Sequence, residues 1–513
     1  MATLLRSIAA FALMTTMAIA QDGPHAVIDT GTLRGTVAEG LNVFKGVPFA
    51  AAPVGALRWR APQAPAAWSG IRDADSFGPS CPQAEESFTK PLGPTSEDCL
   101  FLNIWAPADA RGLPVMMWIH GGGYALGSGS QRVYDGAALA KRGVVLVTIN
   151  YRLGRLGFFA HPALKAERDR AHPKEPMGVY GIMDQIAALQ WVKRNIAAFG
   201  GDAGNVTIFG ESAGGGSVSY LMVSPLSKGL FHRAINQSGG VGISLDMMME
   251  QSLPARPSVM ETATAFLKSE GLHETIDAAG LRALPVQQLL KKQPPPGRVW
   301  AFVDGTVVPD LVGKMFMEGR QHAVPFLLGG NSFEGGLAPN FPGVMKMLAP
   351  DVTDDQLTAL YGAMPEHQWA QQWFGDNVFL GAAKHQAMSM AEAGGTGAPV
   401  YLYYLTYQTQ ATRGQVPGVR HADDLPYVFE TLKTMMPAAA AADLKTSALM
   451  ATYWVNFATT GDPNGAGLPR WPAYTGASDT WLDIGDSVVT KPGVLATRLD
   501  WHIARFKRLA GIP

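Results

Sequence analysis

The chain of 513 residues is long enough for several domains or for one large enzyme domain with insertions. Hydrophobic residues make up 47% of it and charged residues only 16%, so there is ample apolar surface for a large core. The formal net charge of −1 supplies no basic field, which argues against nucleic acid as a partner.

The N-terminus has the layout of a cleavable export signal. An apolar run over residues 7–19 follows the positive charge of Arg6, and Ala18-Ile19-Ala20 directly precedes Gln21. A short hydrophobic region before an A-x-A-like site is typical of a secretory signal peptide. The alternatives are a buried N-terminal helix and an uncleaved anchor, but the run is short for a membrane span and polar sequence follows at once. We therefore expect residues 1–20 to be removed and the protein to be secreted or periplasmic.

Cys81 and Cys99 are the two cysteines of the sequence. In an exported chain, a single pair at this spacing predicts one disulfide that closes a small loop. The alternative is a pair of free, buried thiols. Two cysteines cannot complete a closed zinc site alone, and no histidine cluster stands near them in the sequence. We expect neither a metal nor an organic cofactor.

The first part of the mature chain is rich in short β segments. Residues 25–50 alternate β-rich runs with glycine, which predicts a small N-terminal β-meander. Residues 51–99 are rich in proline, alanine and glycine and indicate ordered loop. Strands are then predicted at 101–105, 115–119 and 144–149. The last of these is a continuous apolar run, as expected for a strand that is buried on both faces.

The next region predicts a parallel sheet. Apolar residues separated by threes and fours indicate a helix over 181–199, and Gly200-Gly201 marks its end. A strand over 205–209 then leads into a tight turn and another helix. The order strand, helix, strand, turn and helix is typical of a mostly parallel sheet that is flanked by helices.

Regularity weakens beyond residue 240. Strands are predicted at 325–330 and 401–405, and helical segments within 350–395 and over 443–459. The sequence contains no repeat, low-complexity tract or evident interdomain linker, and no later segment is long and apolar enough to cross a bilayer. We expect the insertions to form helical caps on a single α/β domain over residues 21–513.

A candidate nucleophile lies in the stretch Thr207-Ile208-Phe209-Gly210-Glu211-Ser212-Ala213-Gly214. A Gly-x-Ser-x-Gly pentapeptide lets a strand turn sharply into a helix and leaves the hydroxyl of the serine exposed. Because the chain contains 58 glycines, the pentapeptide alone is weak evidence. The predicted strand before it and helix after it give it the required context. Ser212 would then need a base, an acid and oxyanion donors.

Oxyanion donors are suggested by His120-Gly121-Gly122-Gly123, which directly follows the predicted strand 115–119. Consecutive glycines let backbone amides point into a site, because no side chain blocks the approach. An HGGG segment after a strand is typical of an oxyanion loop, and the alternative is a plain glycine-rich turn. The amide of Ala213, the residue after the nucleophile, should supply the remaining donor.

Eleven histidines compete for the role of base. In this type of site the nucleophile, the acid and the histidine follow one another along the chain. We set aside the histidines that come too early in the chain or that lie in helical segments, which are His232, His273, His322, His367, His385 and His502. His421 lies in a polar loop shortly after the predicted strand 401–405, which is where a base is needed.

For the acid, Glu334 follows the predicted strand 325–330 in a glycine-flanked loop. Asp304 and Asp310, in a turn-like stretch, are the alternatives. Asp423 is too near His421 in sequence to orient its ring easily.

Two longer motifs resemble the signatures of one family. They are Glu97-Asp98-Cys99-Leu100-Phe101-Leu102-Asn103-Ile104 and Phe209-Gly210-Glu211-Ser212-Ala213-Gly214-Gly215. Shorter matches follow at 46–50, 150–154 and 460–464. The chain is thus similar to the type-B carboxylesterases of the esterase/lipase–cholinesterase family, which have the α/β-hydrolase fold. The resemblance covers essentially the whole mature chain, and its motifs are highly specific.

The resemblance implies a role for each matching residue. Together with the export signal, it implies a secreted serine carboxylic-ester hydrolase that acts through an acyl-enzyme on a small-molecule ester. The implied residues are Ser212 as nucleophile, Glu334 as acid, His421 as base, the amides of Gly122, Gly123 and Ala213 as oxyanion donors, Glu211 as a buried second carboxylate, Ser238 as a polar partner near the triad, Cys81–Cys99 as a disulfide, and Arg58–Glu97 as a structural ion pair.

Some departures from the family limit what can be inherited. The segment between Cys81 and Cys99 contains neither tryptophan nor tyrosine, so the aromatic face that cholinesterases use for a quaternary ammonium is missing, and choline esters are disfavoured. Gly239-Gly240-Val241-Gly242 carries no bulky group, which suggests a roomy acyl side. The alternative functions are a catalytically silent cholinesterase-like binding protein and the same triad used on amides, lactones or carbamates.

Overall fold

The computed structural model describes residues 23–84, 93–242, 247–252, 257–273, 275–291, 300–392 and 397–512. The predicted signal peptide lies outside these residues. Within them, no helix is long and apolar enough to cross a membrane.

The described residues form fourteen strands, and α-helices separate the successive strands from β7 to β13. The strands are β1 (His25–Ile28), β2 (Gly31–Arg34), β3 (Thr36–Ala38), β4 (Leu41–Pro48), β5 (Ile71–Asp73), β6 (Phe101–Pro107), β7 (Leu113–Ile119), β8 (Val145–Ile149), β9 (Gly201–Glu211), β10 (Arg233–Gln237), β11 (Phe326–Asn331), β12 (Val400–Leu405), β13 (Thr480–Ile484) and β14 (Val488–Pro492).

The α-helices are α1 (Ala137–Ala140), α2 (Gly154–Gly157), α3 (Pro162–Ala171), α4 (Tyr180–Asn195), α5 (Ala213–Val223), α6 (Val259–Ser269), α7 (Ala278–Arg282), α8 (Val286–Leu289), α9 (Val312–Met317), α10 (Val344–Leu348), α11 (Asp354–Tyr361), α12 (Glu366–Phe374), α13 (Gly381–Glu392), α14 (Leu425–Val428), α15 (Leu432–Met435), α16 (Ala441–Thr460) and α17 (Ala496–Ala510). The helix predicted over 181–199 is confirmed as α4, continued by a 3₁₀ turn over Ile196–Phe199 and ended by Gly200 in the left-handed conformation.

Eleven of the described strands form one mixed sheet in the order β14-β13-β12-β11-β10-β9-β7-β8-β6-β4-β3. The strands from β8 to β13 pair in parallel, and the strands at both margins pair antiparallel. Helices cover the faces, so the predicted α/β fold with a mostly parallel sheet is confirmed. In such a sheet, the side chains that follow the carboxyl ends of neighbouring strands meet along one edge.

Apolar residues are buried on both faces of the central strands. In β7, Met116 and Trp118 belong to one core cluster, whereas Val115, Met117 and Ile119 belong to the cluster on the other face. All five residues of β8 are buried. The continuous apolar run that predicted this strand therefore reflects burial on two sides.

The predicted N-terminal meander divides between two sheets. Strands β1 and β2 form a hairpin that pairs with β5 in a separate three-stranded sheet. Strands β3 and β4 instead join the margin of the large sheet through β6. The eight-residue β4 carries several buried apolar residues, enough to take its place in the larger core.

A disulfide and several ion pairs connect the irregular segments and the helices to this core. The disulfide between Cys81 and Cys99 is formed, as predicted, and Arg58 contacts Glu97 in the same region at 2.5 Å. Deeper in the molecule, Asp184 is fully buried on α4 and accepts hydrogen bonds from the backbone nitrogen, Nε and Nη2 of Arg152. Arg152 follows β8, so this pair joins the sheet to the helix that covers it.

Another ion pair joins two residues that are far apart in the sequence. A π-helical segment over Gly375–Leu380 joins α12 to α13, and its buried Asp376 accepts hydrogen bonds from Nε and Nη2 of Arg498 at 2.6 and 2.7 Å. Arg498 lies on α17. The C-terminal helix is thereby attached to the π-helical segment.

We expect Asp184→Ala to lower the free energy of unfolding by about 3–5 kcal/mol, because it leaves the Arg152 guanidinium buried without its partner. Urea denaturation followed by tryptophan fluorescence measures this change. The matched control is Asp169→Ala, which removes the solvent-exposed partner of Lys165 and should change stability little. Equal effects of the two substitutions would contradict the prediction.

Candidate active site

The candidate nucleophile lies at a strained turn between β9 and α5. Ser212 has φ 57° and ψ −122°, a backbone conformation that residues other than glycine rarely adopt. The turn is possible because its neighbours are small: a Cβ at Gly214 would lie 2.0 Å from the carbonyl oxygen of Ile119. The backbone nitrogen of Ser212 donates to the carbonyl oxygen of Gln237 on β10 at 2.9 Å. These contacts hold the serine at the carboxyl edge of the sheet.

Glu334 and His421 are brought together over 87 residues of sequence. His421 Nδ1 lies 2.6 Å from Glu334 Oε2, and Glu334 is 1% exposed. The second carboxylate oxygen, Oε1, accepts hydrogen bonds from the backbone nitrogen of Asn331 at 2.7 Å and from Ser238 Oγ at 2.5 Å. Both oxygens of the acid are therefore occupied, and its orientation is fixed. Ser238 thus lies directly beside Glu334.

The other ring nitrogen of His421 faces the serine turn. His421 Nε2 lies 3.1 Å from Oε1 of Glu211, the residue directly before Ser212. Among the described residues neither of these two atoms has a hydrogen-bond partner. The ring of Phe379, from the π-helical segment, lies 4.5 Å from the imidazole at an interplanar angle of 30°. The arrangement leaves Nε2 available to a proton from the turn or from a bound molecule.

The glycine loop after β7 lies against the serine. A Cβ at Gly121 would be 2.9 Å from the backbone carbonyl oxygen of Glu211 and 3.1 Å from Ser212 Cβ, so a larger residue would not fit without a shift of this turn. Gly122 and Gly123 have φ values of 106° and 62°, and the carbonyl oxygen of Gly122 accepts from the backbone nitrogens of Ala125 and Leu126. Within the described residues, no acceptor is bonded to the amides of Gly122 or Gly123. Ala213 begins α5, where helix amides lack an intrahelical partner.

A further buried carboxylate lies beneath the histidine loop. Asp424 is fully buried and accepts hydrogen bonds from Gln237 Nε2 at 2.6 Å and Asn331 Nδ2 at 3.2 Å. Asn331 Nδ2 also donates to the carbonyl oxygen of Arg420. This network ties the loop that carries His421 to β10 and β11. Sequence reasoning missed Asp424, for which the only signal was its place beside the candidate histidine.

The alternative acids are engaged elsewhere. Asp304 caps a turn by accepting from the backbone nitrogens of Val307 and Val308, and Asp310 pairs with Lys314. Asp423 pairs with Arg420 at the surface. In the described structure, the carboxylate bonded to His421 Nδ1 is that of Glu334.

Three of the histidines that were set aside have contacts elsewhere in the described structure. His322 Nε2 lies 2.9 Å from the carbonyl oxygen of Ser224, His385 packs against Phe506, and His502 Nε2 contacts the hydroxyl of Tyr361 at 2.7 Å. Among the described residues, no three histidine, cysteine, aspartate or glutamate side chains are placed to hold a metal ion.

Electrostatics couple the imidazole to the carboxylates around it. Burial alone would lower the pKa of His421, but the charges of Glu211 and Glu334 outweigh it and raise that pKa to about 9. Burial raises the pKa of Glu211 to about 8, an effect that Asp424 and Glu334 increase and His421 opposes. Burial likewise raises the pKa of Asp424 to about 6. A proton taken up by His421 is thus stabilised by the carboxylates that surround it.

A comparison with known proteins identifies the family of this chain. The profile of the carboxylesterase family matches residues 22–360 and 365–500. The chain belongs to the carboxylesterase family. It is therefore a carboxylic-ester hydrolase, as its motifs predicted, and the family assignment made from the sequence is confirmed.

Relatives of known activity align over most of this carboxylesterase. The fumonisin B1 esterase of Sphingopyxis macrogoltabida is 36% identical over 478 residues, which cover 88% of this chain and 85% of that protein. The para-nitrobenzyl esterase of Bacillus subtilis (strain 168) is 34% identical over 482 residues, covering 88% and 93%. A solved structure of a PNB esterase has a TM-score of 0.78 and 31% identity, covering 93% of this chain and 99% of its own.

We expect Glu211→Gln to lower the pKa of His421, because it removes one of the three carboxylates that raise it. The ring then loses its proton at lower pH. NMR titration of the protein with isotope-labelled histidine measures this pKa directly. Glu318→Gln, at an exposed site, is the matched control and should leave the titration unchanged. A pKa of His421 that is the same in Glu211→Gln as in the wild type would refute the assignment of the charge effect.

Proposed function

We propose that this carboxylesterase hydrolyses small-molecule esters through a covalent acyl-enzyme on Ser212, with His421 as the base and Glu334 as the acid that orients it. The observation that carries the proposal is the geometry of His421. One ring nitrogen lies 2.6 Å from a buried carboxylate, and the other faces the turn that holds the serine. An imidazole that is held by a carboxylate at one nitrogen keeps the tautomer in which the other nitrogen can take a proton from a hydroxyl.

In the first half of the reaction, Ser212 Oγ attacks the ester carbonyl carbon while His421 Nε2 accepts the hydroxyl proton. The carbonyl oxygen becomes an oxyanion, for which we assign the amides of Gly122, Gly123 and Ala213 as donors. Collapse of this intermediate breaks the bond to the alcohol, which leaves with the proton from His421. The acyl group remains on Ser212.

In the second half, His421 removes a proton from a water molecule that attacks the acyl carbon. The oxyanion forms again in the same place, and its collapse releases the carboxylic acid as Ser212 Oγ recovers the proton from His421. The charge of Glu334 stabilises the imidazolium that is formed in each half. His421 passes on each proton that it accepts, first to the leaving alcohol and then to Ser212.

The substrate proposal rests on the walls of the site. A Cβ at Gly240 would lie 3.0 Å from Val378 Cγ1 and 3.6 Å from the ring of Phe379. The glycines after Ser238 therefore accommodate the π-helical segment, which places an apolar wall beside His421. Such a wall favours an uncharged ester over a cationic one. The para-nitrobenzyl esterase relative suggests aromatic alcohol esters as the first compounds to test.

We also propose that the chain is exported and that residues 21–513 act as a single domain. The N-terminal signal pattern and the formed Cys81–Cys99 disulfide support export, since disulfides persist in oxidising compartments. The family match over nearly all of residues 22–500 supports one domain.

We expect Ser212→Ala to lower the rate of p-nitrophenyl acetate hydrolysis by at least about 10,000-fold, because the nucleophile is lost. A fluorophosphonate followed by peptide mass spectrometry should label Ser212 in the wild type. Ser217→Ala, on the same helix α5, is the matched control and should retain both label and activity. Wild-type turnover by Ser212→Ala would sink the proposed mechanism.

We expect the full chain, expressed in a Gram-negative host, to accumulate outside the cytoplasm with Gln21 as its first residue. N-terminal sequencing of protein from the periplasm and the medium measures this. A deletion of residues 2–20 should keep the protein in the cytoplasm. Full-length protein that begins at Met1 and stays in the cytoplasm would argue against export.

A further inference from the structure

Gln83 makes an unusual set of contacts for a side chain in an irregular loop. It is 6% exposed, and its Oε1 accepts from the backbone nitrogen of Gly127 at 2.8 Å. Its Nε2 donates to the carbonyl oxygen of Gly127 at 2.9 Å and to that of Cys81 at 3.1 Å. The amide group therefore bonds both backbone polar groups of one residue, as a neighbouring strand would.

Gly127 is the point at which the glycine loop folds back on itself. Its φ is 103°, and a Cβ there would lie 2.5 Å from His120 Nδ1 and 2.7 Å from the carbonyl oxygen of Gly121. The preceding residues 125 and 126 donate to the carbonyl oxygen of Gly122. A displacement of Gly127 is thus transmitted to the peptide groups around Gly122.

The disulfide holds Gln83 in place. Cys81 is two residues before it, and the Cα atoms of Cys81 and Cys99 are 5.0 Å apart. The carbonyl oxygen of Cys99 accepts from Asn150 Nδ2, and Asn150 Oδ1 accepts from the backbone nitrogen of Gly129. Both halves of the disulfide are therefore linked to the end of the same loop, one through Gln83 and the other through Asn150.

We propose that Gln83, tethered by the Cys81–Cys99 disulfide, is a positioning residue that holds the oxyanion loop in its active geometry. The inference rests on the proposed function, in which the amides of Gly122 and Gly123 bind the oxyanion. Gln83 touches neither the substrate nor the reacting atoms. It acts through Gly127.

The consequence for the kinetics is specific. Oxyanion donors bind the transition state more strongly than the ester, so their misplacement lowers kcat and leaves KM nearly unchanged. A shift of about 1 Å at such a donor is enough to reduce the rate by about 100-fold. A residue that only stabilised the fold would change the amount of active protein and not the turnover of each active site.

The test is Gln83→Met, which keeps the length of the side chain and removes its three hydrogen bonds. Turnover is normalised to the sites titrated to completion by fluorophosphonate, so that misfolded protein is not counted. We expect kcat for p-nitrophenyl acetate to fall by about 10- to 100-fold, with KM within about twofold of the wild type. Affinity for a trifluoromethyl ketone, which forms a tetrahedral adduct, should fall in parallel.

Matched variants complete the experiment. Gln63→Met is the control, since the Gln63 side chain bonds only its own loop at the surface, and it should not change kcat. Gln83→Glu keeps the oxygen that accepts from Gly127 and loses the amide donor, so kcat should also fall. Removing the disulfide by Cys81→Ala with Cys99→Ala should lower kcat, and adding Gln83→Met should lower it by less than about twofold more.

Unchanged kcat per titrated site in Gln83→Met or in Gln83→Glu overturns the inference. So does a loss that appears in KM alone, or full additivity with the cysteine substitutions. These outcomes are distinct from failure of the proposed function, in which Ser212→Ala itself would stay active. Wild-type turnover in Gln83→Met together with an inactive Ser212→Ala would reject only the role of Gln83.

Discussion

The candidate site depends on a buried carboxylate whose two oxygens are both occupied. Glu334 bonds His421 through one oxygen and bonds the backbone of Asn331 and the hydroxyl of Ser238 through the other. These partners come from different strand ends, so the acid fixes the ring only because the parallel strands bring those ends to one edge. A carboxylate with a free oxygen could rotate, and the imidazole would follow it. The geometry of the site therefore depends directly on the topology of the sheet.

Several buried carboxylates surround the imidazole. Glu211, Glu334 and Asp424 all raise the pKa of His421. In the proposed mechanism the ring is positive in the tetrahedral intermediates, and the surrounding carboxylates stabilise that state. The same carboxylates make the resting ring more basic. In acid the ring is therefore already protonated and cannot accept the proton of Ser212.

The sequence predicts the parts of this arrangement that depend on strand ends and misses those that depend on loop packing. Ser212, Glu334 and His421 each follow a strand that its apolar pattern predicts. Their order along the chain reduces the number of candidate acids and histidines. Asp423 and Asp424 are adjacent aspartates in the same loop, and nothing in the sequence distinguishes them. Asp424 is buried because of the way the loop packs on β10 and β11. Gln83 leaves no pattern either, because its partner is the backbone of a residue in a different loop. Likewise, short β runs near the N-terminus do not reveal which of two sheets they join.

The attachment of α17 to the π-helical segment gives the end of the chain a part in the site. Arg498 is separated by 122 residues from Asp376, which lies three positions before the ring that covers His421. A chain that stopped short of Arg498 would leave a buried carboxylate unpaired, at a cost of about 3–5 kcal/mol located within one turn of that ring. During synthesis on the ribosome, Ser212, Glu334 and His421 are all made before this partner emerges. The wall of the site can therefore reach its final state only when almost the entire protein has been translated.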